Sequence, residues 1–142
     1  HVREKVFEEF GRIDTLVLNA GVAFKKKVNE FTFEEWNRTI SINLNGLFNT
    51  VKAFYNDFLT NHGSIVYISS GSALSGTGGA VAYPASKAGG EGLMRGLAKE
   101  KIPVRRYGTV RDVANLAVFL ADKDNSYIQG QTILLDGGRT IA

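Results

Sequence analysis

Hydrophobic positions run along this chain in two rhythms. Val2, Val6, Phe7 and Phe10 recur at steps of one to four, and Gly11 follows them, so the pattern predicts an opening helix with a glycine stop. In "DTLVLNAG" the apolar residues Leu16, Val17 and Leu18 are consecutive instead. A continuous run suits a strand covered on both faces, as in parallel sheets. From Thr32 the helical rhythm returns and persists: Phe33, Trp36, Ile40, Leu44, Leu47, Val51, Phe54 and Phe58. Thr32 and Glu35 have capping-box spacing, and "NHG" closes the stretch. The stripe predicts one long helix with a single buried face, either core or subunit contact. Asn43 lies beside it and interrupts its apolar character.

"GSIVYISS" predicts a second buried strand. The glycine-rich "SGSALSGTGG" follows, and then a helix from about Pro84, since proline suits the first helical position. A further helix is predicted over Val110 to Ala121, capped by Thr109 and Asp112, with Val113, Leu116, Ala117 and Leu120 on one face. "GQTILLDGG" predicts a third apolar strand. Strands alternate with helices, which predicts an α/β class with a parallel sheet in a single domain over residues 1–142.

Each predicted strand ends in small or polar residues: Asn19-Ala20-Gly21, Ser69-Ser70 and Asp136-Gly137-Gly138. Any one of these could be a simple strand stop. In an open parallel sheet, ligands bind beyond the carboxyl ends of the strands. That rule predicts one crevice collecting Asn19, Ser70 and the start of the helix that bears Tyr83 and Lys87. Tyr83 and Lys87 stand at i and i+4 and so share a helix face. A free phenol, with a pKa near ~10, is a poor general base at neutral pH. An ammonium about 4 Å away contributes roughly 4 kcal/mol at an effective dielectric near 20, enough to bring a phenol into the working range. Ser70 can hydrogen-bond a substrate oxygen and hold it against that phenol. Taken alone, a Tyr-x-x-x-Lys spacing is most often an ordinary exposed helix pair.

Composition narrows the field. Of 142 residues, 44% are hydrophobic and 22% charged, and the net charge is +3, as expected of an ordinary globular chain. The basic run Lys25 to Lys27 is too short to make a nucleic-acid face, so no nucleic-acid partner is expected. There is no cysteine, which removes disulfides and thiolate metal sites. No apolar run approaches a membrane span, and no signal peptide is visible, so a cytoplasmic protein without a membrane partner is expected. The chain opens at His1 rather than at methionine, which leaves its natural start open.

In order along the chain, "LNAG" (18–21), "INLNG" (42–46), "IVYISS" (65–70), "YPASK" (83–87) and "IQGQTILLDGG" (128–138) resemble the short-chain dehydrogenases/reductases. Ser70 stands thirteen places before Tyr83, as is usual in that family. The likeness is greatest to the branch holding the 3-oxoacyl-carrier-protein reductases and many sugar and alcohol dehydrogenases. It implies a Rossmann-like, doubly wound parallel sheet, and an oxidoreductase that uses NAD or NADP. By the resemblance, Tyr83 is the acid/base, Lys87 lowers the pKa of that phenol and binds the nicotinamide ribose, and Ser70 orients the carbonyl. Asn43 holds a water in a proton relay with Lys87, at a place where a π-bulge is expected. Asn19, Ala20 and Gly21 line the adenosine side of the cofactor. The substrate is a small molecule or an acyl thioester, and a homo-oligomer, dimeric or tetrameric, is expected.

The chain also departs from the family pattern. Leu18 replaces the first of two asparagines common in that motif. The phosphate-binding glycine loop after the family's first strand is not found; Gly76, Gly78 and Gly79 do not fit G-x-G-x-x-G. The cofactor selector is missing with it. "GLMRGLAKE" runs straight into "KIPVRRYGTVRDV" where family members place a strand, a turn and a mobile lid, so a segment is expected to be missing between Glu100 and Lys101. "TNHG" (60–63) lacks the basic residues that meet an acidic carrier, which keeps a small alcohol, sugar or ketone as the alternative substrate. A true loss of the glycine loop would instead favour a non-catalytic binding protein.

Overall fold

The computed structural model describes residues 2–61, 63–77, 81–99, 108–135 and 137. The chain divides into two compact units, residues 1–97 and 98–142. In the first, helix α1 spans Val2–Phe10. It stops as expected: Gly11 adopts φ 73°, and its N–H donates to the Phe7 carbonyl at 2.9 Å. Only glycine enters that left-handed region without strain.

Strand β1 (Thr15–Leu18) pairs in parallel with β2 (Ser64–Tyr67), Leu16 opposite Ile65 and Leu18 opposite Tyr67. Between them run α2 (Phe33–Ile40), a π turn (Ser41–Asn45) and α3 (Gly46–Asn61) as one continuous helical path. Its start is fixed locally. Thr32 accepts from the Glu35 N–H, and Glu35 accepts from the Thr32 N–H, both at 3.1 Å. A helical crossover of this kind is what two parallel strands need.

The core lies on one face of this pair. Leu16 and Leu18 meet Leu47, Val51, Phe54 and Phe58 of α3, with Ile65, Tyr67, Leu93, Met94 and Leu97 packed against them. Burying each such side chain contributes roughly 1.5–3 kcal/mol.

Four expectations are corrected here. The apolar runs are covered on one face only: the alternation of the pleat turns Val17 and Val66 outward, and Val17 is 59% exposed. The helical stripe is likewise divided. It is core from Leu47 to Phe58, but Phe33 at its start is 89% exposed. The π turn between α2 and α3 explains the break, because one residue more per turn rotates the stripe relative to the sheet. Helix α5 (Ala82–Lys99) begins before Pro84, not at it. Proline fits there because the first-turn N–H groups of a helix have no partner within it. A short helix, α4 (Ser72–Ser75), occupies part of the glycine-rich stretch read as loop.

In the second unit, α6 (Val110–Ala121) is capped as expected, Thr109 and Asp112 bonding each other reciprocally. Its apolar side is not buried among the described residues. Residues 131–135 form no strand. A strand exists through its ladder; this run has no ladder partner among the described residues, and Gly130 (φ 64°) turns the chain just before it. The rest of that predicted strand end, Asp136 and Gly138, lies outside the described residues, as does the expected junction at residues 100 and 101. Among the described residues no helix is long and apolar enough to cross a membrane.

Candidate active site

The carboxyl ends of β1 and β2, the π turn and the first turns of α5 converge. Asn43 is carried on the π turn, where the Gly46 N–H reaches back five residues to the Ser41 carbonyl. The wider turn directs Asn43 inward, and it is buried. Its Oδ1 accepts from the Val22 N–H at 2.8 Å, and its Nδ2 donates to the Val22 carbonyl at 2.9 Å and to Ser86 Oγ at 3.0 Å. Ser86 in turn donates to the Tyr83 carbonyl at 2.7 Å. A buried amide with all its protons used is a rigid strut. It joins the loop after β1 to the turn that carries Tyr83.

Lys87 is only 4% exposed. Its Nζ donates to the Ile68 carbonyl, just past β2, at 2.7 Å. The same nitrogen sits over two aromatic rings, 5.2 Å from the Tyr67 centroid and 5.8 Å from that of Tyr83. The expectation that Tyr83 and Lys87 share a face therefore describes the structure. A Cβ at Gly21 would stand 3.4 Å from Asn43 Oδ1 and 3.8 Å from Lys87 Nζ, so the β1 loop passes close in front of the ammonium. Gly21, Asn43, Tyr83 and Lys87 are thus brought together.

Ser70 lies at the end of β2, its Oγ accepting from the Ser72 N–H at 3.2 Å. It makes no hydrogen bond to Tyr83 or Lys87. Asn19 and Ala20 are exposed at the end of β1. Neighbouring Ser69 donates to Glu91 at 2.6 Å. Burial pushes the Tyr67 phenol up, and the charge of Glu91 adds to the effect.

Sequence reasoning missed Ser86 and Tyr67. A serine inside a helix and a tyrosine inside an apolar strand carry no local signal of a site. Gly90 was the available clue: a Cβ there would lie 2.5 Å from Tyr67 Cζ, so a bare backbone is needed where the ring meets α5.

The parallel pair of strands thus gathers near its carboxyl ends a tyrosine, a buried lysine, an asparagine on a π turn and a serine. The chain is a member of the short-chain dehydrogenase/reductase family: residues 1–111 match the family described as short chain dehydrogenase, and residues 98–140 match the one described as enoyl-(acyl carrier protein) reductase. Among curated relatives, it is similar to the 3-oxoacyl-[acyl-carrier-protein] reductase FabG of Thermotoga maritima, 33% identical over 99% of this chain and 71% of the relative. That comparison spans 175 residues, more than this chain contains, so part of the relative faces gaps here. Among solved structures, a short chain dehydrogenase from Bacillus anthracis superposes with a TM-score of 0.67 at 28% identity, over 98% of this chain and 69% of that one. An alcohol dehydrogenase from Thermococcus sibiricus, complexed with 5-hydroxy-NADP, does so at 0.64 and 30% identity, over 68% of this chain and 41% of that one.

Proposed function

We propose that this protein reduces the ketone of a 3-oxoacyl thioester, with Tyr83 as the proton donor. The observation that carries this reading is the Lys87 ammonium, taken almost wholly out of water and held over the Tyr83 ring. A fixed cation beside the phenol puts positive charge where negative charge develops as the proton is passed on. The nicotinamide cofactor, when bound, supplies the hydride. The residues present fit its nicotinamide half. Lys87 has ammonium protons beyond the one given to Ile68 with which to hold ribose hydroxyls. Gly21 keeps the β1 loop free of a side chain in front of it. Asn19, Ala20 and Gly21 would line the adenosine side.

The remaining roles follow from donor chemistry. Ser70 already accepts from Ser72, so its own proton remains to be donated to the substrate oxygen. Tyr83 protonates that oxygen as negative charge develops on it. Asn43 contributes by rigidity, and a water in the relay would find only the second lone pair of its Oδ1.

A small alcohol, sugar or ketone is the second reading, favoured by "TNHG", which offers no lysine or arginine to an acidic carrier. We also propose that the natural fold is one Rossmann-like domain with an intervening segment between Glu100 and Lys101. The two family matches overlap at residues 98–111, beside that junction. The protein is further proposed to work as a homo-oligomer.

The test is NADH and NADPH oxidation with acetoacetyl-CoA, followed by absorbance. Tyr83→Phe is expected to lower turnover by about 10²–10⁴-fold with an unchanged melting temperature. Turnover retained in that variant overturns the assignment.

A further inference from the structure

We propose that Tyr67 is a positioning residue for the reaction: its ring is the fixed surface against which the Lys87 ammonium is held. The proposal rests on the reading of Lys87 and Tyr83 given above and adds a third residue to it. Strand alternation puts Tyr67 on the covered face of β2, with Ile65, at the strand's last position. There the core ends and the site begins. Its hydroxyl donates to the Lys87 main-chain carbonyl at 3.3 Å. The bare backbone of Gly90 receives the same hydroxyl end of the phenol, against Oη, Cζ and Cε1. The ring is therefore pinned to α5 at Lys87 and at Gly90, one turn of helix apart.

Against this pinned ring the Lys87 side chain folds back, its Nζ 5.2 Å from the centroid. The next residue in the strand, Ile68, supplies the carbonyl that accepts from the same nitrogen. Successive residues of β2 thus fix the ammonium by one hydrogen bond and one aromatic face. The negative face of a phenol ring attracts a cation, and most strongly where water is excluded. The other groups near the ammonium are the Tyr83 ring and, beside Gly21, the neutral amide of Asn43, while the Glu91 carboxylate, a turn further along α5, acts on the Tyr67 phenol. Removal of the ring would leave Lys87 the Ile68 carbonyl and the Tyr83 ring, and room to swing away from the latter.

The prediction separates ring from hydroxyl. Tyr67→Phe keeps the aromatic face, and Tyr67→Leu removes it. In full-length protein labelled with ε-¹³C lysine, the Lys87 methylene resonance, assigned through its loss in Lys87→Met, is expected to lie upfield of the other lysines because of the two rings. It should keep most of that displacement in Tyr67→Phe and move towards the other lysines in Tyr67→Leu. Turnover of acetoacetyl-CoA should fall about tenfold in Tyr67→Leu, the equivalent of one moderate cation–aromatic contact, and stay within about twofold of the parent in Tyr67→Phe. An unshifted Lys87 resonance in the parent protein overturns the proposal even if the leucine variant does not fold. So does a leucine variant, folded by its melting curve, with resonance and turnover both unchanged. Should Tyr83→Phe stay active, the catalytic reading falls, while the lysine resonance still reports whether the ring holds the ammonium.

Discussion

At the scale of single residues, what the structure adds is partnership. Asn43 stands out in the sequence as a polar interruption, and the family resemblance gives it a role. Its bonds to Val22 and Ser86 could not be read, because they join positions 21 and 43 residues away. Tyr83 and Lys87 were legible because helical geometry alone puts i and i+4 together. Another pair was equally hidden: Arg3 of α1 clamps Asp57 of α3 with two hydrogen bonds, 2.7 and 2.6 Å long. The Arg3 hydrogen bonds hold the Asp57 carboxyl below the usual carboxylate range. Lys26, bonded at 2.6 Å, and then the Thr32 N–H do the same for Glu35. The sign follows from linkage. A carboxyl group depressed on folding adds stability that is fully present above its unfolded value, about 4, and is lost as pH falls through its folded value. Urea unfolding of the parent should be insensitive to pH between about 7 and 5 and weaken below about 4. Asp57→Asn is expected to be less stable at pH 7 and to show a shallower acid decline. Parallel declines in the two proteins would remove the clamp from the account.

Elements were legible where their signals are local. Both predicted capping boxes form, at Thr32 and Thr109, because the box needs only four consecutive residues. The stop at Gly11 is local too. The run at 131–135 looked as strand-like as the other two, yet a strand needs a ladder that no local pattern can supply. Helix α5 shows the same division among its glycines. Gly92 faces open space, so alanine there meets nothing and regains the conformational entropy that glycine loses. Gly92→Ala should stabilise the protein by about 0.5–1 kcal/mol. Gly90→Ala gains the same helical preference but drives a methyl group into the pinned Tyr67 ring. Overpacking of this kind costs about 1–3 kcal/mol, so a net loss of about 1–2 kcal/mol is expected. Chemical denaturation of the two variants reads both, and a stabilising Gly90→Ala would mean that the ring is not pinned.

For the molecule as a whole, the question is what covers its apolar faces. Among the described residues the parallel sheet has two strands, a small foundation, and parallel sheets are ordinarily covered on both sides. Here Val17 and Val66 face outward, Val110, Val113 and Val118 of α6 are exposed, and Phe33 opens the long helix almost fully in solvent. Exposed apolar residues gathered on one element mark interaction surfaces. The sequence left the α2–α3 stripe open between core and subunit contact; the structure makes its later half core, which leaves Phe33 and Trp36 as its outward part, and Phe48, outside the stripe, is exposed as well. A homo-oligomer using that part is the assembly we propose. Closed symmetry would repeat each contact, so one charged substitution should disrupt all copies of it. Native mass spectrometry of the purified protein is expected to give an integral multiple of the chain mass, and Phe33→Glu to give single chains of unchanged helical content. The same sample, denatured, reports the mass of one chain; a value above the 15.5 kDa of these 142 residues is what the segment proposed at Glu100 requires. A parent protein that runs as single chains would remove Phe33 from any contact, and a chain of 15.5 kDa would mean that α5 and α6 are joined by no more than the residues printed here.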